Sequence, residues 1–202
     1  TVYILYKMLT VTIAYKWKGR TTMKWMIASD IHGSAYYCRQ MLGAYRREGA
    51  DRLLLLGDIL YHGPRNDLPR EYGPKDVISM LNGVKQELLC VRGNCDTEVD
   101  QMVLEFPILA EYCFLEIGGK TMFATHGHVF NPHDPPLLKT GEILLNGHTH
   151  IPACEDMGTF WYLNPGSVSI PKEGSAHGYM TFENGVFQWK DMKGVCWKEK
   201  RF

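Results

Sequence analysis

The chain has 202 residues, of which 45% are hydrophobic and 22% charged, values typical of a single soluble globular domain. Its 22 basic and 22 acidic residues cancel, and the absence of a basic stripe in the sequence argues against a dedicated nucleic-acid surface. The six cysteines are scattered without C-x-x-C spacing, which fits reduced thiols in a cytoplasmic protein.

The first 22 residues differ from the rest of the chain. They carry four basic residues and no acidic one. None of their apolar runs reaches the roughly 18 residues of a membrane-spanning helix, and a signal peptide would place its charges before the apolar stretch. We therefore expect residues 1–22 to be an N-terminal extension without a catalytic role, ahead of a single domain at 23–202.

The first half of the domain predicts the order β-α-β-α-β. Three apolar runs are predicted as strands: 25–29, 52–56 and 88–91. Ser34 is a suitable N-cap and Gly49 a suitable stop for a helix between the first two strands. Pro74 favours the first turn of a second helix, which ends near Val84. This order predicts right-handed crossovers and a parallel sheet.

The second half is rich in strands and hairpin signals. Gly118-Gly119 and Asn184-Gly185 each separate two strand-like runs, and the second pair predicts a type I′ turn. The predicted strands are 112–117, 120–124, 143–145, 153–156, 160–163, 178–182 and 186–190. A parallel half and an antiparallel half each form a sheet whose apolar faces must be buried. This suggests two sheets that pack on each other, with helices on the outside.

Five short polar motifs lie along the chain, and four of them directly follow a short apolar run. They are Asp30-Ile31-His32, Gly57-Asp58, Gly93-Asn94-Cys95-Asp96, His126-Gly127-His128 and Gly147-His148-Thr149-His150. Their carboxylate, amide and imidazole groups suit hard or borderline divalent metals. Seven such ligands are too many for one tetrahedral zinc and about right for two metals that share a bridge. The sequence therefore predicts a dinuclear metalloenzyme.

These motifs, in this order, resemble the signature of the calcineurin-like metallophosphoesterase superfamily. The resemblance runs from Met23 to about Trp189, and segments 58–66, 91–96 and 164–171 resemble the YfcE-type bacterial phosphodiesterases within it. It implies an α/β fold, a four-layer α/β/β/α sandwich of two mixed sheets flanked by helices. The site would then lie at strand ends where the two sheets meet.

The resemblance also implies which residues bind each metal. One ion would take Asp30, His32, Asp58 and His150. The other would take Asp58, Asn94, His126 and His148. The implied cofactor is two divalent ions, manganese first, with iron, zinc, cobalt or nickel as alternatives. A metal-activated water would attack phosphorus in line, without a phosphoenzyme.

One position departs from many members of the superfamily. Where they have a histidine that is thought to bind phosphate and protonate the leaving oxygen, this chain has Cys95, as the YfcE-type enzymes do. A thiol suits that role poorly. His62 or His128 could supply the proton, and Arg65 could contact the phosphate. The alternatives are a surface position for Arg65 and support of a metal ligand by His128.

The predicted function is a metal-dependent phosphodiesterase acting on a small phosphodiester. A phosphomonoesterase or nucleotidase on the same metal site is the first alternative. A non-catalytic protein-binding scaffold, like the retromer subunit related to this fold, is the second. No membrane association is expected, and whether the chain forms a homo-oligomer is left open.

Overall fold

A computed structural model describes residues 22–202 of the chain. Apart from Thr22, the predicted extension at residues 1–22 lies outside the described residues, so the boundary at residue 23 stays a prediction. Within 22–202 no helix has the length and apolar character needed to cross a membrane.

The described residues form eleven strands, three α-helices and one short 3₁₀-helix at Lys85–Glu87. In chain order the strands and α-helices are β1 (Trp25–Ala28), α1 (Ala35–Glu48), β2 (Arg52–Leu55), α2 (Pro74–Asn82), β3 (Leu88–Cys90), α3 (Glu98–Gln101), β4 (Tyr112–Ile117), β5 (Lys120–Thr125), β6 (Ile143–Leu145), β7 (Pro152–Asp156), β8 (Trp161–Pro165), β9 (Gly178–Glu183), β10 (Val186–Asp191) and β11 (Cys196–Arg201).

The first sheet has the order β11-β10-β9-β1-β2-β3. Strands β1, β2 and β3 are parallel, as the β-α-β-α-β pattern predicts. The Ser34 hydroxyl accepts the Tyr37 N–H at 3.2 Å, and Gly49 ends α1 with a left-handed φ of 58°. Both predicted caps of α1 are confirmed.

The second sheet has the order β4-β5-β6-β8-β7, and it differs from the antiparallel half that the hairpin signals suggested. Its central pairs, β5 with β6 and β6 with β8, are parallel. A parallel pair needs a long crossover, and residues 126–142 supply it between β5 and β6. Strands β9 and β10 leave this half of the chain and join the first sheet beside β1.

The two sheets pack face to face around one apolar layer. Ile27 and Leu54 from the first sheet meet Met122 and Leu145 from the second in this layer. The opposite face of the first sheet packs on α1 and α2. The outer face of the second sheet packs on the β5–β6 connection, through contacts such as Phe123 with Phe130. These two mixed sheets confirm the predicted α/β fold class.

The topology gathers the five polar motifs at one edge. Each motif follows the carboxyl end of a strand that runs parallel to a neighbour, namely β1, β2, β3, β5 or β6. In parallel sheets these carboxyl ends lie on the same side, where loops can converge on a ligand. The fold thus brings the motif loops of both sheets together.

A substitution at Trp189 tests the contact between the two sheets, because Trp189 lies on β10 and its hydrogen-bond partner Asn164 lies on β8. Trp189 is fully buried, and its indole N–H donates to the Asn164 carbonyl at 2.8 Å. We expect Trp189→Phe to lower the free energy of unfolding by about 2 kcal/mol, because it leaves a void and removes a buried donor. Trp197→Phe is the matched control, since Trp197 is exposed on β11 and its replacement should cost less than about 0.5 kcal/mol. Urea denaturation measures the free energy of unfolding of both variants. Equal losses would show that Trp189 does not stabilise the contact between the sheets.

Candidate metal centre

The first group of donors lies after β1, β2 and β6. Asp30 Oδ1 is 3.2 Å from His150 Nε2 and 3.5 Å from His32 Nε2. The two imidazole Nε2 atoms are themselves 3.2 Å apart. Asp58 Oδ2 completes the group at 3.6 Å from His32 Nε2. Four potential ligand atoms therefore converge on one point.

The second group is centred on His126. Its Nε2 atom lies 3.1 Å from Asn94 Oδ1, 3.2 Å from His148 Nδ1 and 3.4 Å from Asp58 Oδ2. Asp58 Oδ2 thus belongs to both groups. The other Asp58 oxygen, Oδ1, accepts the backbone N–H of Cys95 at 2.8 Å. One carboxylate oxygen is fixed to the protein, and the other lies between the two groups.

The tautomers of three histidines are set by backbone acceptors. His32, His126 and His150 each place Nδ1 against a carbonyl oxygen, which can only accept. The carbonyls belong to Tyr61 at 2.7 Å, Leu56 at 2.6 Å and Ile170 at 2.8 Å, respectively. Each Nδ1 must therefore carry a proton, and Nε2 is the ring nitrogen that faces the site. Metal-binding histidines use this arrangement to fix ring orientation.

Buried negative charge makes the site suited to cations. Asp30 is fully buried, and Asp58 is nearly so. Burial opposes ionisation of Asp30, but bonds from His150 and His32 outweigh it and hold the pKa well below its usual value. Burial likewise opposes protonation of His126, but Asp58 and the charge of Asp30 raise its pKa to about 9. Divalent cations fit this donor set, because they would balance the same carboxylates.

The backbone at these positions is unusual. Five of the seven predicted metal ligands have left-handed φ values: Asp30 at 61°, His32 at 48°, Asp58 at 56°, His148 at 64° and His150 at 63°. Residues other than glycine adopt this conformation at a cost, and such residues tend to cluster at functional sites. Such clustering at the ends of two sheets indicates that the loops are shaped around the side chains they present.

Hydrogen bonds between loops hold this conformation. The Asp30 N–H donates to the Gly57 carbonyl at 3.1 Å, and the His32 N–H donates to the Asp58 carbonyl at 2.9 Å. The hydroxyls of Ser167 and Ser169 both donate to the Asp30 carbonyl, at 2.9 and 3.0 Å. The loop after β8 therefore supports the loop after β1 without offering a ligand itself.

Two glycines allow the loops to approach one another closely. A Cβ on Gly93 would overlap Asp58 Oδ1, and a Cβ on Gly147 would overlap the Ser29 hydroxyl. Glycine in the G-N and G-H-T-H motifs is therefore required by contact distance.

Asp96 is a positioning residue to which sequence reasoning assigned no role. Its carboxylate accepts the backbone N–H groups of Asp58, Ile59 and Gly93, at 2.9, 2.9 and 2.8 Å. It therefore joins the loop after β2 to the loop after β3, and it orients Asp58 through the backbone. Its presence within the Gly93–Asp96 motif was the available signal.

The four predicted auxiliary residues occupy different surroundings. Cys95 and Arg65 line a cavity of about 410 Å³ above the donor groups. Burial and the charge of Asp58 raise the pKa of the Cys95 thiol to about 12. His62 does not line this cavity; its ring packs edge-on against Tyr72, with centroids 5.3 Å apart. His128 is exposed, and its ring centroid is 5.5 Å from that of His126.

Lys172 also lines the 410 Å³ cavity, and the sequence reasoning missed it. Its backbone N–H donates to the carbonyl of His150 at 3.2 Å, which fixes its position next to a candidate ligand. It directly follows Pro171, the last residue of segment 164–171. Lys172 is the first basic residue after this segment, and its place directly behind a recognised motif is the signal that could have identified it.

Comparison with known families agrees with this geometry. The family model of the calcineurin-like phosphoesterase superfamily domain matches residues 23–185. The chain belongs to this superfamily. Members of the superfamily bind divalent metal, and the buried Asp and His donors described above are the matching candidates here.

Within the superfamily, the chain is clearly similar in sequence to a bacterial phosphodiesterase. The chain is 47% identical to the phosphodiesterase YfcE of Escherichia coli K12 over 164 residues, or 81% of this chain and 89% of the relative. The solved structure of YfcE, a phosphoesterase from E. coli, matches with a TM-score of 0.86 and 43% identity, covering 89% of this chain and 99% of its own. Vps29 of Entamoeba histolytica, solved with Zn²⁺, matches in fold only, with a TM-score of 0.58 and 20% identity over 89% of this chain and 98% of its own.

Replacing Asp96 tests its positioning role. In Asp96→Asn an NH₂ group replaces one carboxylate oxygen and cannot accept a backbone hydrogen bond. We therefore expect the free energy of unfolding to fall by about 2 kcal/mol or more. Metal affinity should fall with it, because Asp58 loses its backbone support. Asp134→Asn, on an exposed loop, is the control and should change neither quantity. Unchanged stability and metal content in Asp96→Asn would show that the carboxylate has no such role.

Proposed function

We propose that the chain is a dinuclear-metal-dependent phosphodiesterase. The observation that carries this proposal is Asp58 Oδ2, which lies within 3.6 Å of His32 Nε2 and 3.4 Å of His126 Nε2 and so belongs to both donor groups. A shared carboxylate between two ligand sets is the arrangement of two-metal hydrolases. Similarity to the phosphodiesterase YfcE supports the choice of a phosphodiester substrate.

We assign the two metal sites as the sequence predicts them. Asp30, His32, Asp58 and His150 hold one ion, and Asp58, Asn94, His126 and His148 hold the other. Manganese is our first choice, because carboxylate and amide oxygens suit it; iron, zinc, cobalt and nickel accept the same mixed oxygen and imidazole set. Bound there, divalent ions would supply Lewis-acid polarisation of the phosphoryl oxygens and a water activated for attack on phosphorus.

The chain itself contributes charge and orientation. Lys172 and Arg65 line the cavity and would contact the non-bridging oxygens of the phosphate. Asn94 adds a ligand oxygen without adding negative charge beside an anionic substrate. Asp96 keeps Asp58 aligned through the backbone.

Protonation of the leaving oxygen is the weak step in this site. The Cys95 thiol is a poor acid, and His62 packs outside the cavity. His128 could donate through a water, but it is exposed and also lines the neighbouring cavities. We therefore propose that esters with good leaving groups are hydrolysed fastest.

One observation favours the alternative of a phosphomonoesterase. Lys172 and Arg65 bring two cations to the cavity, and a dianionic monoester would gain from both. The scaffold alternative gains no such support, because all seven ligand positions keep metal-binding residue types.

We also propose a cytoplasmic location and a small-molecule substrate. All six cysteines are free thiols, which fits a reducing compartment. The cavity of about 410 Å³ is of the size that holds a small molecule.

A metal-by-substrate panel tests the proposal. The metal-free protein is reconstituted separately with Mn²⁺, Fe²⁺, Zn²⁺, Co²⁺ or Ni²⁺ and assayed with bis(p-nitrophenyl) phosphate and with p-nitrophenyl phosphate. We expect faster turnover of the diester, with two ions per chain by metal analysis. Faster turnover of the monoester would support the alternative, and no turnover with any ion would refute the enzyme proposal.

Asp58→Asn should be the most damaging ligand replacement, because Asp58 contacts both metal sites. We expect near-total loss of diester turnover and loss of at least one ion, with circular dichroism unchanged. Asp67→Asn, an exposed position in the same β2–α2 connection, is the control. If two ions remained and turnover fell less than about tenfold, the bridging role would be wrong.

Cys95→His tests whether the site lacks a general acid for the leaving oxygen. A well-placed general acid is worth about 10²–10⁴ in rate, so alkyl esters should gain and activated aryl esters should hardly change. Cys95→Ala should be mild for aryl esters on the same reasoning. Strong loss of aryl ester turnover in Cys95→Ala, with both ions retained, would instead identify the thiol as a participant.

A further inference from the structure

A second cavity lies directly beside the candidate metal centre. It has a volume of about 480 Å³ and lies between β7 and the β5–β6 connection. His148 and Thr149 line both this cavity and the 410 Å³ cavity, so the G-H-T-H loop forms a ridge between them. We refer to the second cavity as the β7 cavity.

The lining of the β7 cavity combines apolar side chains with polar ones from the loops, three histidines among them. Pro152, Ala153, Met157 and Tyr162 contribute to it, and they belong to or border the second sheet. Tyr162 is itself only 5% exposed, and it is part of a buried cluster against which Ala153 and Met157 pack. The floor of the cavity is therefore held by packing against the sheet.

Charge distinguishes the two cavities. Among the described residues, the β7 cavity is lined by no lysine or arginine, and its one carboxylate is that of Glu155. The cavity above the donor groups has Lys172 and Arg65. An anionic group would be favoured in the 410 Å³ cavity, beside Lys172 and Arg65, and disfavoured in the β7 cavity, beside Glu155. The two ester groups of a bound phosphodiester would thus meet different surroundings.

We infer that the β7 cavity binds one ester substituent of the substrate, an uncharged aryl or heteroaryl group. This inference rests on the proposed phosphodiesterase function. With the phosphate at the donor groups, a substituent directed over His148 and Thr149 enters the β7 cavity. A volume of about 480 Å³ accommodates a ring system, and Met157 offers a sulfur for contact with it.

Binding of three simple diesters tests the inference. Dimethyl phosphate, methyl phenyl phosphate and methyl 4-carboxyphenyl phosphate carry the same charged phosphodiester and differ in one substituent. Their affinities for the manganese-loaded protein are measured as inhibition constants against turnover of bis(p-nitrophenyl) phosphate, or by titration calorimetry if no turnover occurs. We expect methyl phenyl phosphate to bind at least about tenfold more tightly than the other two. Equal binding of the phenyl and dimethyl compounds would overturn the inference.

Two variants locate the effect. Ala153→Trp fills the cavity and should remove the advantage of the phenyl group, whereas Ala176→Trp, exposed and outside both cavities, should keep it. Glu155→Lys reverses the charge at an exposed position, and the carboxyphenyl compound should then bind at least as tightly as the phenyl compound. If Ala153→Trp fails to fold, Glu155→Lys decides alone, and an unchanged order of affinities in it would overturn the inference.

The assay with bis(p-nitrophenyl) phosphate separates this inference from the proposed function. Turnover without selective aryl binding would refute the role of the β7 cavity and leave the phosphodiesterase proposal intact. Selective aryl binding without turnover by any metal form would refute the catalytic proposal, and with it the assignment of the aryl group as a substrate's ester.

Discussion

Asp58 is the residue on which the candidate site depends. Its backbone N–H is bound by Asp96, its Oδ1 accepts the Cys95 N–H, and its Oδ2 is left between the two donor groups. The loops after β2 and β3 are therefore joined at the same carboxylate that would join two metals. Removing either support would move this carboxylate. A side chain at Gly93 would move it too, because its Cβ would overlap Asp58 Oδ1.

This arrangement stores conformational energy in the loops. Left-handed backbone at an aspartate or histidine costs roughly 1 kcal/mol or more, and it occurs here at five predicted ligands. Bonds such as those from Ser167 and Ser169 to the Asp30 carbonyl offset part of this cost. The buried carboxylates add a further demand for positive charge, which His126 meets in part. Metal binding should therefore stabilise the fold as well as permit chemistry.

In the proposed function, selectivity among esters comes from the surroundings of the site and not from the ligands. The ligand set alone accepts monoesters and diesters. Lys172 and Arg65 on one side, and the β7 cavity on the other, give the two ends of a diester different environments. Lys172, Arg65 and the apolar residues that line the β7 cavity lie outside the five motifs, so closely similar metal sites could act on different esters.

The sequence by itself determined the fold class, the family and most secondary structure, because apolar runs bounded by glycine and capped by Ser34 or Pro74 are local signals. It also named the donors that the structure gathers. Only the tertiary structure decided the parallel pairing of β5, β6 and β8, and it added β11, whose charged sequence becomes a strand by pairing with β10. The roles of Asp96 and Lys172, and the β7 cavity, likewise depend on contacts between loops distant in the chain. Local sequence patterns carry no information on such approaches, since strand order and loop packing create them.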